Sequence, residues 1–352
     1  MSAPRLAVIG AGAWGTTLAL RLATAGPVHL LARDEATARA ISGVRENRRH
    51  LPGFVLPAEV SVGADPAALA SADQLVVVAV PSAAMRTEAT RWGTSVHPAA
   101  VVLSAAKGLE QGSLLRMTEV LAEQIPAAQG RIAALSGPNL ALEIAQGLPA
   151  SSVVAAADEA VGPRVVDLLA SRTLRLYTNR DVIGVELCGA LKNIIAIAAG
   201  AADGLGFGDN GKASLITRGL AEMTRLGLAA GANPLTFGGL AGVGDVLATC
   251  GSGLSRNHRL GVELAKGGRW ADIEGALPGV AEGAYTVDAA LEMAARLGVE
   301  MPIAQEVHNA LFEGKSVQRC LADLLGRESK EELAGLDEWV RRRLSDAVRA
   351  RT

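Results

Sequence analysis

Apolar residues fall along this chain in two rhythms. Up to about residue 180 they come as short β-branched and aliphatic runs, at 5–9 (RLAVI), 28–32, 75–80 (LVVVAV), 101–104, 132–136, 152–155 and 174–178. Runs of this length, separated by helical or loop segments, predict buried strands of a doubly wound sheet. From Asp181 onward the strand signals stop, and the remainder reads as helices interrupted by glycine at 204–211 (GLGFGDNG) and 238–244 (GGLAGVG). The fold class is therefore α/β: an N-terminal Rossmann-type doubly wound sheet over residues 1–180, followed by an all-α C-terminal domain over 181–352. Within the last stretch, 329–352, Leu333, Leu336, Trp339, Val340 and Leu344 recur at helical spacing, which predicts a terminal helix packed on the domain or on a second subunit.

The first run turns directly into Gly10-Ala11-Gly12-Ala13-Trp14-Gly15, and an Ala/Leu-rich helical pattern follows at 16–25. That is strand, tight turn and helix, closed into a βαβ unit by the run at 28–32. In such a turn Gly10 makes the bend, Gly12 lets backbone approach a pyrophosphate and Gly15 allows close helix packing, with the helix N-terminus facing the anion. Context makes this a dinucleotide site. Packing alone could also select glycines here.

Composition narrows the partners. The chain has 352 residues, enough for two domains, a formal net charge of -2 and only 20% charged residues, so no nucleic-acid-binding face is indicated. Aromatics are 3% against 49% hydrophobic, which predicts a core of Ala, Val, Leu and Ile. The most apolar stretch, 194–202, falls short of the roughly 20 residues of a membrane helix, and the N-terminus lacks the regions of a signal peptide. The expectation is a cytoplasmic protein without membrane insertion. Cys188, Cys250 and Cys320 show no metal or disulfide spacing and read as buried apolar residues; no metal site is expected.

Polar residues in the apolar half carry the candidate chemistry. On a helix, Lys192 has Cys188, Gly189, Ile195 and Ala196 as its neighbours, so it leaves an apolar face. Burial and nearby cations lower a lysine pKa and suit it to acid–base work. The alternative is a lysine that reaches the surface or pairs with Glu186. Downstream lie Asp245 and the run Ser255-Arg256-Asn257, in which Ser255 predicts an N-cap for a helix over 256–266. Arg256 and the unpaired amides of that first turn would suit a phosphate, although a capped surface helix with a solvated arginine gives the same pattern. Lys107, and the run Ser136-Gly137-Pro138-Asn139, each follow a predicted strand at the rim where open α/β sheets bind ligands.

Taken together, the stretches GAGAWGTTLA (10–19), RENRRHLPG (45–53), SAAKGLE (104–110), SGPNLALE (136–143), ELCGALKNIIAIAAGAADGLGFGDNGKASLITRGLAEM (186–223), GLAGVGDVLATC (239–250) and SRNHRLG (255–261) resemble the bacterial NAD(P)-dependent glycerol-3-phosphate dehydrogenases. The likeness continues through EGAYT (282–286) and MPIAQEVHNALFEG (301–314). It implies hydride transfer between NAD(P)H and C2 of dihydroxyacetone phosphate or sn-glycerol 3-phosphate, supplying phospholipid synthesis, and a homodimer. Lys192 matches the general acid/base, with Lys107 close enough to depress its pKa. Lys107, Gly137, Asn139, Asp245, Ser255, Arg256 and Asn257 match the substrate contacts. Trp14, Arg33, Lys107, Ala141, Arg256, Val280 and Glu282 match the dinucleotide contacts, beside Gly10, Gly12, Ala13 and Gly15.

Three positions depart from the family pattern. Asn139 stands where many relatives carry Ser or Thr, Leu140 replaces a common Phe, and His50 replaces a frequent Tyr. The second strand ends in Arg33 and then Asp34, with Arg45, Arg48 and Arg49 in the following stretch; an arginine first favours NADP(H), with NAD(H) also open. Two rivals remain at this level: another two-domain NAD(P)-dependent hydroxy-acid or keto-acid dehydrogenase, and a dinucleotide sensor without catalysis.

Overall fold

The computed structural model describes residues 5–276, 279–328 and 331–332. Among these residues eight strands form: β1 (Leu6–Ile9), β2 (Val28–Leu31), β3 (Val60–Gly63), β4 (Leu75–Val78), β5 (Val101–Ser104), β6 (Ile132–Ser136), β7 (Ala150–Ala156) and β8 (Leu174–Asn179). They form one sheet in the order β3-β2-β1-β4-β5-β6-β7-β8. All neighbours run parallel except β6 and β7, which are antiparallel. The doubly wound reading holds, with one addition: the hydrophobic pattern omitted β3, whose alternating VSVG offers only one strongly apolar face at the sheet's edge.

Helices α1 (Ala13–Leu22), α2 (Glu35–Val44), α3 (Met85–Trp92), α4 (Met117–Gln124), α5 (Ala141–Ala145) and α6 (Val161–Leu169) cover the sheet. Two apolar clusters result, one on each face: Leu18, Leu22, Val77, Leu103 and Leu135 on one, Met85, Trp92, Val102 and Leu121 on the other. The four-residue strands β1, β4 and β5 are buried on both faces, which is why their sequences read as continuous apolar runs. α1 begins at Ala13, three residues before the expected start, with Gly12 as its N-cap.

Past β8 the described chain is helical: α7 (Val182–Gly204), α8 (Gly208–Ala229), α9 (Pro234–Phe237), a π-helical turn at Leu240–Gly244, α10 (Asp245–Gly251), α11 (Arg256–Ala265), α12 (Trp270–Ile273), α13 (Glu282–Leu297), α14 (Pro302–Phe312) and α15 (Val317–Leu325). α7 is the axis of this half. It is long and apolar enough to cross a membrane, yet 89% of its most apolar window is buried among the other helices. α11 crosses it in near backbone contact: a Cβ on Gly200 would lie 1.9 Å from the His258 carbonyl, and one on Gly261 1.9 Å from that of Ile197. The amphipathic stretch expected at 329–352 lies outside the described residues, apart from 331–332.

Candidate functional site

The glycine turn is built as the spacing requires. Gly10 has φ +103°, and a Cβ there would meet the Ala79 carbonyl at 2.7 Å; one on Gly15 would sit 1.9 Å from the Gly10 carbonyl. Only glycine lets β1 turn this tightly into α1. A Cβ on Gly12, by contrast, meets nothing within 4 Å. The turn therefore presents open space at the amino end of α1, beside Ala13 and Trp14, where unpaired helix amides attract an anion. This fits a dinucleotide pyrophosphate. The rim of that space is held by side chains. Asn47, 1% exposed, donates through Nδ2 to the Ala11 carbonyl and to Thr16 Oγ1, both at 2.8 Å. Thr17 Oγ1 donates to the Ala141 carbonyl at 3.1 Å, fixing the start of α5 against α1.

At the end of β2, Asp34 caps α2, accepting the Thr37 N–H at 2.8 Å, and this bond keeps its carboxyl below the usual range. Arg33 is exposed beside it, with Nε 3.3 Å from Asp34 Oδ2, while Arg91 clamps its carbonyl at 2.8 Å. Arg45 is turned elsewhere and spent on the carbonyls of Leu56, Pro57 and Val60; Arg48 pairs with Glu46. His50 is exposed, and partial desolvation with the charges of Arg49 and Arg256 holds its imidazole below its ordinary pKa.

Opposite the turn, residues from both halves meet on one carboxylate. Asp245 opens α10 just after the π-helical turn and is 1% exposed. Its Oδ2 accepts from Lys107 Nζ at 2.5 Å, and its Oδ1 lies 3.0 Å from Lys192 Nζ. Lys107 also donates to the Gly137 carbonyl at 2.8 Å. Lys192, 7% exposed, donates to Thr249 Oγ1 at 2.6 Å, and Thr249 in turn donates to Asp245 Oδ1 at 3.1 Å. Burial alone would raise the Asp245 carboxyl, but the two ammonium charges and their hydrogen bonds hold it below its ordinary value. Lys107 is pulled down to about 8, first by burial and then by the Lys192 charge, against the attraction of Asp245. Lys192 thus neither reaches the surface nor pairs with Glu186, whose carboxylate is taken by Arg116 and Thr118.

The phosphate candidates lie one helix away. Ser255 caps α11 by accepting the His258 N–H at 3.2 Å, as the sequence indicates. Arg256 is exposed and makes no hydrogen bond or ion pair among the described residues. Asn257 is buried and bridges helices, donating to Asn193 Oδ1 at 2.9 Å and accepting the Gly283 N–H at 3.0 Å. Its side chain thus joins α7, α11 and α13, and its backbone N–H belongs to the capped first turn. Glu282 accepts the Ser82 N–H at 3.3 Å; burial raises its carboxyl against the charges of Arg256, Lys192 and Lys107. Val280 precedes it, partly exposed.

Asn139 receives a hydrogen bond from Ser152 on its Oδ1, and its buried Nδ2 has no partner among the described residues. The Ser104 and Ser136 hydroxyls are likewise buried without partners. The Ser136 hydroxyl is packed against Gly189 of α7, which leaves the Asn139 amide as the unfilled group suited to a ligand. Thr249, Asn193, Asn47 and Ser82 were not singled out from sequence. Only Thr249 carried a signal, four residues after Asp245 on the same helix face.

Comparison with known proteins agrees across both halves. Residues 5–162 match the family model described as NAD-dependent glycerol-3-phosphate dehydrogenase N-terminus, and residues 181–322 match its C-terminus counterpart. Among curated relatives, the glycerol-3-phosphate dehydrogenase (NAD(P)+) of Streptomyces avermitilis is 46% identical over 94% of this chain and 99% of its own. That of a Parafrankia species is 49% identical over 93% of this chain and 98% of its own. The crystal structure of glycerol-3-phosphate dehydrogenase from Coxiella burnetii superposes with a TM-score of 0.88 at 36% identity, covering 92% of this chain and 99% of that one.

Proposed function

Because the chain belongs to the NAD(P)-dependent glycerol-3-phosphate dehydrogenase family, which interconverts dihydroxyacetone phosphate and sn-glycerol 3-phosphate, we propose that Lys192 is the group that moves the proton. The observation that carries this is the buried carboxylate of Asp245 shared between Lys192 and Lys107, at the place where the sheet's rim meets α7. When bound, the nicotinamide supplies the hydride to C2, or takes it back. In the reducing direction Lys192 gives its proton to the ketone oxygen as the C2–H bond forms, and solvent restores that proton afterwards. Asp245 and Thr249 fix the Lys192 ammonium. Lys107, tied to Gly137 and Asp245, places a second positive charge where the carbonyl oxygen gains negative charge.

The glycine turn (Gly10, Gly12, Ala13, Trp14, Gly15) and Ala141 hold the dinucleotide, with Val280, just ahead of α13, and Glu282, its first residue, closing on it. The substrate phosphate rests on the Arg256 side chain and the free first-turn amides of α11 at Arg256 and Asn257, with Ser255 capping that turn while its own N–H is taken by the Ser252 carbonyl. Asn139 offers its unpartnered Nδ2 to a ligand acceptor, because Ser152 already occupies the amide oxygen. The exposed Arg33 favours NADP(H) over NAD(H), since Asp34 is committed to capping α2. The division between a dinucleotide-binding and a catalytic half falls at residues 180 and 181, where β8 gives way to α7. A cytoplasmic homodimer rests on the family resemblance, and sedimentation velocity tests the dimer.

The function itself is tested by following NADPH and NADH oxidation with dihydroxyacetone phosphate and with unphosphorylated dihydroxyacetone. Turnover confined to the phosphate ester supports the phosphate anchor; equal turnover with both removes it. A preference for NADH contradicts the role given to Arg33.

A further inference from the structure

Glu186 lies on α7 six residues before Lys192, and its side chain is 5% exposed. Among the described residues, all its side-chain partners come from the sheet half. Its Oε1 accepts the Thr118 N–H at 2.9 Å, and its Oε2 accepts from Thr118 Oγ1 at 2.6 Å and from Arg116 at 2.8 Å. Thr118 sits in the first turn of α4, so the carboxylate satisfies a helix-terminal donor that the helix itself leaves unpaired. Arg116, the N-cap of α4, is gripped from its other side by Glu119 at 2.7 Å. α4 in turn packs against α3 and β6. Burial pushes the Glu186 carboxyl up while Arg116 and Thr118 draw it down, so the anchor is costly and fully bonded.

A helix can slide or rotate on apolar neighbours at small cost, whereas a buried carboxylate held by three donors has one seat. The proton-moving group is about 9 Å further along the same rigid helix. Its direct partners, Asp245 and Thr249, lie on α10, but Asp245 is held in turn by Lys107, which is tied to Gly137 in the sheet half. Resting on the reading of Lys192 as proton donor, we propose that Glu186 is a positioning residue for hydride transfer: bonded to Arg116 and Thr118, it sets the depth and rotation of α7 and so places Lys192 at the reacting carbonyl. Among the described residues the Glu186 carboxylate bonds only to Arg116 and Thr118, so it acts through the helix.

The test uses the full chain with Glu186→Gln, Arg116→Met, Lys192→Met and the Glu186→Gln/Lys192→Met pair. Gln keeps the volume but turns an amide donor toward Arg116 and the Thr118 hydroxyl. Each variant is measured for kcat, for NADPH Kd and for the primary isotope effect with NADPH deuterated at the transferred position. A misplacement of the order of 1 Å lowers kcat about 10- to 100-fold while NADPH Kd stays within about twofold, and the isotope effect rises because hydride transfer has become the slow step. Arg116→Met moves the same way and carries the test should Glu186→Gln not fold. On the Lys192→Met background, Glu186→Gln adds no further loss. A kcat within twofold of the parent, a lowered kcat with an unchanged isotope effect, or a matching loss of NADPH affinity overturns the positioning role. Turnover retained by Lys192→Met alone overturns instead the proton-donor reading beneath it.

Discussion

The two sides of the site bind by opposite means. On the sheet side the glycine turn works through backbone: it offers amides and open space, and its requirement is that Gly10 and Gly15 carry no Cβ. Facing the helical half the work falls to charged side chains, Lys192 and Asp245 of that half with Lys107 reaching in from the sheet's rim, all with little solvent access. One side is specified by size and the other by charge. A substitution that alters only one of these properties should therefore damage only one function, binding of the dinucleotide or transfer of the proton.

The sharpest charge-only change is Asp245→Asn, which keeps shape and leaves two buried cations facing each other. Removing one partner of a buried ion pair costs about 3–5 kcal/mol of stability, to be seen as a lower Tm, and with Lys192 no longer held kcat/KM for dihydroxyacetone phosphate should fall by about 10²–10³ while NADPH affinity changes little. A parallel loss of NADPH affinity would erase the distinction between the two sides. The sharpest size-only change is Gly15→Ala. The added methyl meets the Gly10 carbonyl, and overpacking of this kind costs about 1–3 kcal/mol, to be seen as weaker NADPH binding and a lower Tm. Turnover at saturating NADPH should survive in whatever protein folds.

The charge side should also respond to pH. Lys107 keeps its proton below about 8 and loses it above, because burial favours the neutral amine. Its contribution to holding an anionic substrate is thus complete below that value, and kcat/KM for dihydroxyacetone phosphate should decline as pH rises through it. Lys107→Arg should move that decline upward; an unmoved profile assigns it to another group. The smallest effect is expected at Arg33, which is largely in solvent. Arg33→Ala should reduce the NADPH over NADH preference about tenfold or less, since an exposed ionic contact contributes about 1 kcal/mol.

The same contrast explains what could be read from the sequence. The glycine turn was legible because its function lies in a local sequence of strand, turn and helix. Lys192 was legible because a lysine among Gly, Cys, Ile and Ala on a helix contradicts its surroundings, and Ser255 because capping is a local event. The partners were not. Glu186, the natural local candidate to pair with Lys192, is instead bonded to Arg116 and Thr118, about 70 positions earlier. Asn47 reads as one polar residue in a basic loop, and only the fold sets it against the Ala11 carbonyl. β3 was missed because an edge strand with one buried face writes a weak pattern. The antiparallel β7 was invisible because strand direction is set by connections, which the apolar runs do not record.

The central claim is that Lys192 moves the proton without holding the dinucleotide. The most direct measurement is Lys192→Met, with turnover of dihydroxyacetone phosphate and NADPH Kd determined on the same preparation. The account predicts a kcat lowered by about 10³ or more, with NADPH Kd within about threefold of the parent. Turnover within tenfold of the parent, or equal losses in kcat and in NADPH affinity, would contradict it.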